Sequence, residues 1–122
     1  MDKFSEYNEI RKVIDLYLAA PKAADSKVMQ PAFHQEAAMY LVVDGAITGG
    51  AIQKLFDSVD GAPKAENLEA VITSIEITDD IAFVRLEAAN WNGNRYTDMF
   101  LLLKGRNGWQ IITKVFHNHA VK

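Results

Sequence analysis

Four apolar segments, LEAVITSIEIT, IAFVRLEAANW, RYTDMFLLLK and WQIITKVFHNH, fill the second half of the chain, separated by Asp79-Asp80, by NGN and by GRNG. Segments rich in β-branched and aromatic residues with such short turn-forming loops read as strands of an antiparallel meander. Short loops also fix which residues pair. With Thr78 opposite Ile81, Trp91 opposite Arg95 and Lys104 opposite Trp109, one face collects Val71, Ile75, Ile77, Ala82, Val84, Leu86, Ala88, Phe100, Leu102, Trp109, Ile111 and Val115. That face is apolar enough to be a core. Its polar members are Tyr96, Asp98 and His117, with Tyr96 opposite His117 and Asp98 one pair further along.

The other face carries Arg85, Glu87, Trp91, Met99, Leu101, Leu103, Ile112, Lys114 and Phe116. A solvated sheet face alternates to polar residues, and the last two strands do not. An apolar patch of that kind marks an interface, so the expectation is a homodimer formed sheet to sheet, with cover by the C-terminal tail or a helix as the alternative.

The first half is mainly helical. Phe4, Tyr7, Ile10, Ile14, Tyr17 and Leu18 recur at spacings of three and four with Glu6, Glu9, Lys12 and Asp15 between them, which predicts an amphipathic helix ending before Pro21. A second helical segment is expected in KAADSKVMQPAF, and AAMYLVVDGAIT reads as a short strand turning at Asp44-Gly45. Gly49-Gly50 then admits a third, short helix, AIQKLFDSV, with Ala51, Ile52, Leu55, Phe56 and Val59 on one side. The 122 residues fit one domain spanning 1–122 with a core of its own.

Composition excludes several classes of function. Without cysteine there is no disulfide, thiolate metal site or cysteine nucleophile. A net charge of −3 with no basic block gives no footprint for nucleic acid or an anionic membrane. No apolar run approaches a membrane span or a signal core, so the expected location is the cytoplasm. There is no phosphate loop and no Gly-x-Ser-x-Gly elbow.

Among the candidates for chemistry, Asp98 is the most informative. A carboxyl buried without a cation keeps its proton and donates a hydrogen bond, whereas one within reach of His117 forms an ion pair or orients that histidine as a base. Its structural reading is a carboxyl that ties down neighbouring tyrosines. His117 and His119 form a His-x-His pair, two ligands where a catalytic zinc needs three, so no metal is expected. His34 sits at a helix end, where satisfying carbonyls is its ordinary use. Tyr17, Tyr40 and Tyr96, with Phe56, supply the hydroxyls and apolar walls of a small-molecule pocket.

Three helices, a short hairpin and a long meander resemble the cone-shaped α+β fold of the nuclear transport factor 2-like (NTF2-like) superfamily over nearly the whole chain. FHQEAAM is similar to the segment that enters that family's first strand. RYTDMFLLLKGRNGWQIITKVFH resembles the closing hairpin of the branch named putative lumazine-binding, near the polyketide-cyclase-like group. The resemblance implies a small, flat, largely apolar ring compound as ligand and, for an enzyme, cofactor-free isomerisation, dehydration or cyclisation. Asp98 resembles the acidic group that ketosteroid isomerase places on the corresponding strand, and Tyr17 its oxyanion tyrosine. The counterpart of that enzyme's general base falls near Leu41, which argues against the same route. Scytalone dehydratase offers a second template, with His34, Tyr40 and His117 in similar roles. Two readings stay open on the sequence: proton-transfer catalysis through Asp98 or His117, and a non-catalytic dimeric binding or assembly module.

Overall fold

A computed structural model describes residues 2–119. Helix α1 (Lys3–Ala23) starts at Asp2, whose side chain accepts from the Ser5 amide at 2.9 Å, and buries Ile10, Ile14, Tyr17, Ala20 and Pro21 along one stripe. The helix does not stop before Pro21. It runs to Ala23, because a proline in the last turn sacrifices little of the hydrogen-bond ladder, and it closes on Ala24 in the left-handed conformation. The second helical segment consists of two 3₁₀ turns, Ser26–Val28 and Gln30–Ala32, with Pro31 inside the latter. Helix α2 (Gln53–Asp60) buries Leu55, Phe56 and Val59, and its Asp60 accepts from the Ser26 amide and hydroxyl at 2.8 and 2.9 Å, tying it to these turns.

Six strands follow the expected order: β1 (Phe33–Val43), β2 (Ala46–Ala51), β3 (Glu69–Thr78), β4 (Ile81–Trp91), β5 (Asn94–Gly105) and β6 (Gly108–Asn118). They form one sheet in the order β2-β1-β6-β5-β4-β3, antiparallel except where β1 meets β6. This is the cone-shaped α+β class expected, with α1, the 3₁₀ turns and α2 against the inner face. Gly49-Gly50 lies within β2, and the short helix anticipated after it begins at Gln53, two residues later than the expected Ala51. A Cβ at Gly49 would stand 2.0 Å from the Met39 carbonyl oxygen, and its φ of +152° is one that glycine alone adopts readily. At the other end of the molecule, Glu6 on α1 accepts from Trp109 Nε1 at 2.6 Å and pairs with Lys104, clamping the start of the helix over the β5–β6 hairpin.

The hairpins obey the expected registers near two of their three turns: Thr78 faces Ile81, and Lys104 faces Trp109. Trp91 pairs with Asn94 rather than Arg95, and three bulges then alter the faces. One, between Ile72 and Ser74, leaves Val71 58% exposed instead of in the core. The second, between Ala88 and Trp91, has Asn90 in the left-handed region and turns Trp91 inward, where it is buried rather than outward-facing. The third, opposite Leu101 and Leu102, reverses β6 beyond Ile111. Lys114 and Phe116, expected outside, face in. Val115 and His117, expected inside, are exposed.

No helix among the described residues is long and apolar enough to cross a membrane.

Candidate functional site

The β6 bulge decides what surrounds Asp98. Asp98 pairs with Phe116, and its neighbour Phe100 pairs with Lys114, so Asp98 and Lys114 are diagonal neighbours on the inner face. Helix α1 lays Tyr17 across them. Its hydroxyl donates to Asp98 Oδ2 at 2.8 Å, linking residues 81 positions apart, and all three side chains are buried. Asp98 Oδ1 is buried with no hydrogen-bond partner among the described residues.

Aromatic rings enclose this group. Lys114 Nζ lies 4.1 Å from the centroid of Phe116, 5.3 Å from Tyr17, 5.8 Å from Trp91 and 6.0 Å from Tyr96. The rings meet edge to face: Tyr17 with Trp91 at 5.5 Å and Phe100 at 5.1 Å, and Trp91 with Tyr96 at 5.4 Å. Tyr96 and Phe116 are half-buried, which makes them the side of the chamber nearest solvent.

Burial sets the electrostatics. It raises the Asp98 pKa above the carboxylate range, against the opposing pull of the Lys114 charge and the Tyr17 hydrogen bond. It lowers the Lys114 pKa, with the Asp98 charge again opposing. Tyr17 and Tyr96 are both raised, first by burial and then by the nearby carboxylate. Lys114 and Asp98 do not form a contact ion pair, and both shifts favour their uncharged forms. Desolvation thus favours the protonated acid and the free amine at neighbouring positions, and the charge of each group opposes that tendency in the other.

The residues singled out in the sequence divide into three groups. Tyr17, Tyr96 and Asp98 come together in this chamber. His34 and Phe56 line a separate groove of about 600 Å³ with Gln53 and Gln110, and Phe33 stands between the two, 5.8 Å from the Phe56 ring and 6.2 Å from Tyr17. Tyr40 and His117 lie on the outer face. Tyr40 is 40% exposed beside Val115, and His117 pairs with Thr97, not Tyr96, so the expected contact between His117 and the Asp98 side of the sheet does not occur. The His117 ring instead meets the His119 ring at 4.6 Å. Among the described residues no three His, Cys, Asp or Glu side chains gather as metal ligands.

Sequence reasoning missed Lys114, Phe116 and Trp91 as members of the chamber. Their signal was a break in alternation. Ile111-Ile112 are adjacent apolar residues in a strand of period two, and Asn90 is a residue that tolerates the left-handed conformation just before Trp91.

Comparison with known proteins agrees with the fold. Residues 5–117 match the model of the family described as "Putative lumazine-binding". The chain is 33% identical over 116 residues to the aldolase FrzH of Cladobotryum sp., covering 94% of this chain and 93% of that protein. An NTF2-like protein from Shewanella baltica OS155 superposes with a TM-score of 0.93 at 36% identity, covering 98% of both chains. Another from Methylobacillus flagellatus KT gives 0.90 at 33%, covering 97% of this chain and 95% of that one. With its helices, its sheet order and nearly its full length shared in this way, the chain belongs to the NTF2-like superfamily and, within it, to the putative lumazine-binding family.

Proposed function

We propose that this domain binds a small, largely apolar carbonyl compound in the chamber formed by Tyr17, Trp91, Tyr96, Asp98, Lys114 and Phe116 and promotes proton transfer at the carbon beside the carbonyl. The observation that carries the reading is Asp98 Oδ1, a buried carboxyl oxygen left without a partner next to a buried amine. Such an oxygen costs stability unless something fills its hydrogen-bonding capacity. A ligand carbonyl oxygen does so when Asp98 is protonated, and the same hydrogen bond stabilises the enolate that forms on loss of the α-proton. Lys114, its pKa lowered by burial, is the basic group in the chamber, and the aromatic walls suit a flat ring.

The aldolase relative supports chemistry at an α-carbon, which isomerisation, dehydration, cyclisation and aldol addition share. None of these proton transfers needs a cofactor. Deuterium exchange into the α-positions of cyclohexanone in D₂O, followed by NMR, tests the reading. The full chain should accelerate exchange over buffer, and Asp98→Asn should reduce that acceleration by about tenfold or more, the usual worth of a positioned acid. Equal exchange in both proteins overturns it. Titration with lumazine, flavin and small polycyclic ketones, read at the Tyr96, Asp98 and Lys114 amides, ranks the ligands.

A second reading, homodimeric assembly, is favoured by a different observation. Tyr40, Met99, Leu101, Leu103 and Val115 are 40–50% exposed on the outer face, a larger apolar patch than a solvated sheet needs. Sheet-to-sheet pairing of two copies would cover it. Leu101→Glu should then convert a dimer to a monomer in light scattering, and a wild-type monomer removes this reading.

A further inference from the structure

Lys114 is one of nine lysines in the chain, and its environment is unlike that of a structural lysine. Its amine is only 3% exposed as a residue, lies among four aromatic rings and makes no contact ion pair with the one carboxyl beside it. A lysine kept for packing is expected to extend its head to water, and one kept for charge is expected to touch a carboxylate. This one does neither. Desolvation by an apolar cage favours the unprotonated form of an amine, the form that attacks carbonyl carbon.

We propose that Lys114 is a covalent nucleophile that condenses with the carbonyl of its substrate to form a Schiff base, with Asp98 as the proton relay for the condensation. The inference rests on the carbonyl-binding reading above and deepens it. The balance closes within the chamber. The amine adds to the carbonyl carbon to give a carbinolamine, and protonated Asp98 delivers its proton to the departing hydroxyl, releasing water and leaving an iminium and a carboxylate. The carboxylate then removes the α-proton, which restores the acid and converts the iminium to an enamine. That enamine is a carbon nucleophile toward a second carbonyl, so the substrate class is an enolisable ketone or aldehyde, and the product after hydrolysis carries a new carbon–carbon bond or an exchanged α-proton. Tyr17 donates to Asp98 Oδ2 and so leaves Oδ1 as the oxygen that faces the reacting atoms.

The test uses acetylacetone on the full chain at neutral pH. A reactive lysine condenses with this diketone, losing water, to give a vinylogous amide with a new near-ultraviolet band and a mass gain equal to the diketone less water. One adduct is expected, mapped to Lys114 and formed at least about tenfold faster than at any surface lysine. It should be absent from Lys114→Met and from Lys114→Arg, the latter keeping a long nitrogen-headed side chain that does not condense, in case the methionine variant misfolds. No adduct on the wild type, or adducts spread evenly over the lysines, overturns the proposal. Cyclohexanone exchange run in parallel separates the two claims: Asp98-dependent exchange without an adduct removes the covalent role alone, whereas loss of both removes the carbonyl reading with it.

Discussion

On the outer face of the meander, Glu87 receives Arg85 at 2.8 Å, Arg95 at 3.2 Å and the Thr97 hydroxyl at 2.7 Å, while His119 Nε2 lies 2.8 Å from that hydroxyl. On the inner face of the same strands, Asp98 has one hydrogen bond from Tyr17, one oxygen with none, and a lysine that it does not touch. Both clusters contain an acid, a base and a hydroxyl. Outside, the Glu87 carboxylate is met by two guanidinium groups in contact with water, and His119 has its pKa lowered, first by desolvation and then by the Arg95 charge. Inside, the same kinds of group are desolvated and incompletely paired, and burial raises the Asp98 pKa and lowers that of Lys114. The difference follows from the environment that the strands create, not from which side chains the sequence contains.

The strongest way to break this comparison is to remove the acid from each face. Asp98→Ala takes away a buried hydrogen bond, opens a small cavity and isolates Lys114, and should lower the unfolding free energy by about 3 kcal/mol. Glu87→Ala, on a partly solvated network, should cost about 1 kcal/mol or less. Urea unfolding of the two variants reads the difference directly, and equal losses would mean that the inner cluster is no more costly to disturb than the outer one.

Removing a hydroxyl sharpens the contrast at a smaller scale. Tyr17→Phe keeps the ring among Phe33, Trp91 and Phe100 and deletes only the donor to Asp98, so the expected loss is about 1–2 kcal/mol. Asp98 should also become harder to ionise, because a donor to the carboxylate has been lost. Thr97→Val on the outer face should change stability by about 0.5 kcal/mol or less, since water replaces the missing hydroxyl for both Glu87 and His119. Thermal unfolding at a fixed pH compares the pair.

How much of this was legible beforehand depends on distance from a turn. Asp79-Asp80 and Gly105–Gly108 set the pairing of Thr78 with Ile81 and of Lys104 with Trp109, and the core positions Ala82, Val84, Leu86, Phe100, Leu102, Trp109 and Ile111 followed from alternation. Asp98 was also legible as an inward carboxyl, because β5 runs without a bulge of its own between Tyr96 and Leu102. Beyond Ile112 the same alternation gave the wrong face, exchanging Lys114 and Phe116 for Val115 and His117. One extra residue reverses every side chain after it. The apolar character of both faces of β6, read from the sequence as an interface, arises in part from this reversal: Phe116 belongs to the chamber, and Val115 joins Leu101 outside. Tyr17 could be placed on the inner stripe of α1 by its spacing, but its reach to Asp98 depends on how the helix lies across the sheet, which no local pattern encodes.

A difference in pH slope tests the inner cluster by its sign. The Asp98 pKa is raised in the folded protein, so the native state binds more protons than the unfolded one between the ordinary carboxylate value of 3.8 and the raised value. The contribution is fully present below that ordinary value and is lost as pH rises through the folded pKa. Wild type should therefore lose stability relative to Asp98→Asn as pH rises from about 4, with a slope of at most about 1.4 kcal/mol per pH unit, the most that one proton gives. Lys114 acts in the opposite sense: its pKa is lowered, so its contribution is present above its ordinary value of 10.5 and lost as pH falls through the folded one. Asp98 is faced by Lys114, Tyr17 and, through the sheet, Glu87, and the first two favour its ionisation while the third opposes it. Unfolding measured from pH 4 to 7 for wild type, Asp98→Asn and Lys114→Met resolves these contributions. If wild type and Asp98→Asn run parallel across that range, Asp98 titrates as it would in water, and burial in the inner cluster has no hold on its proton.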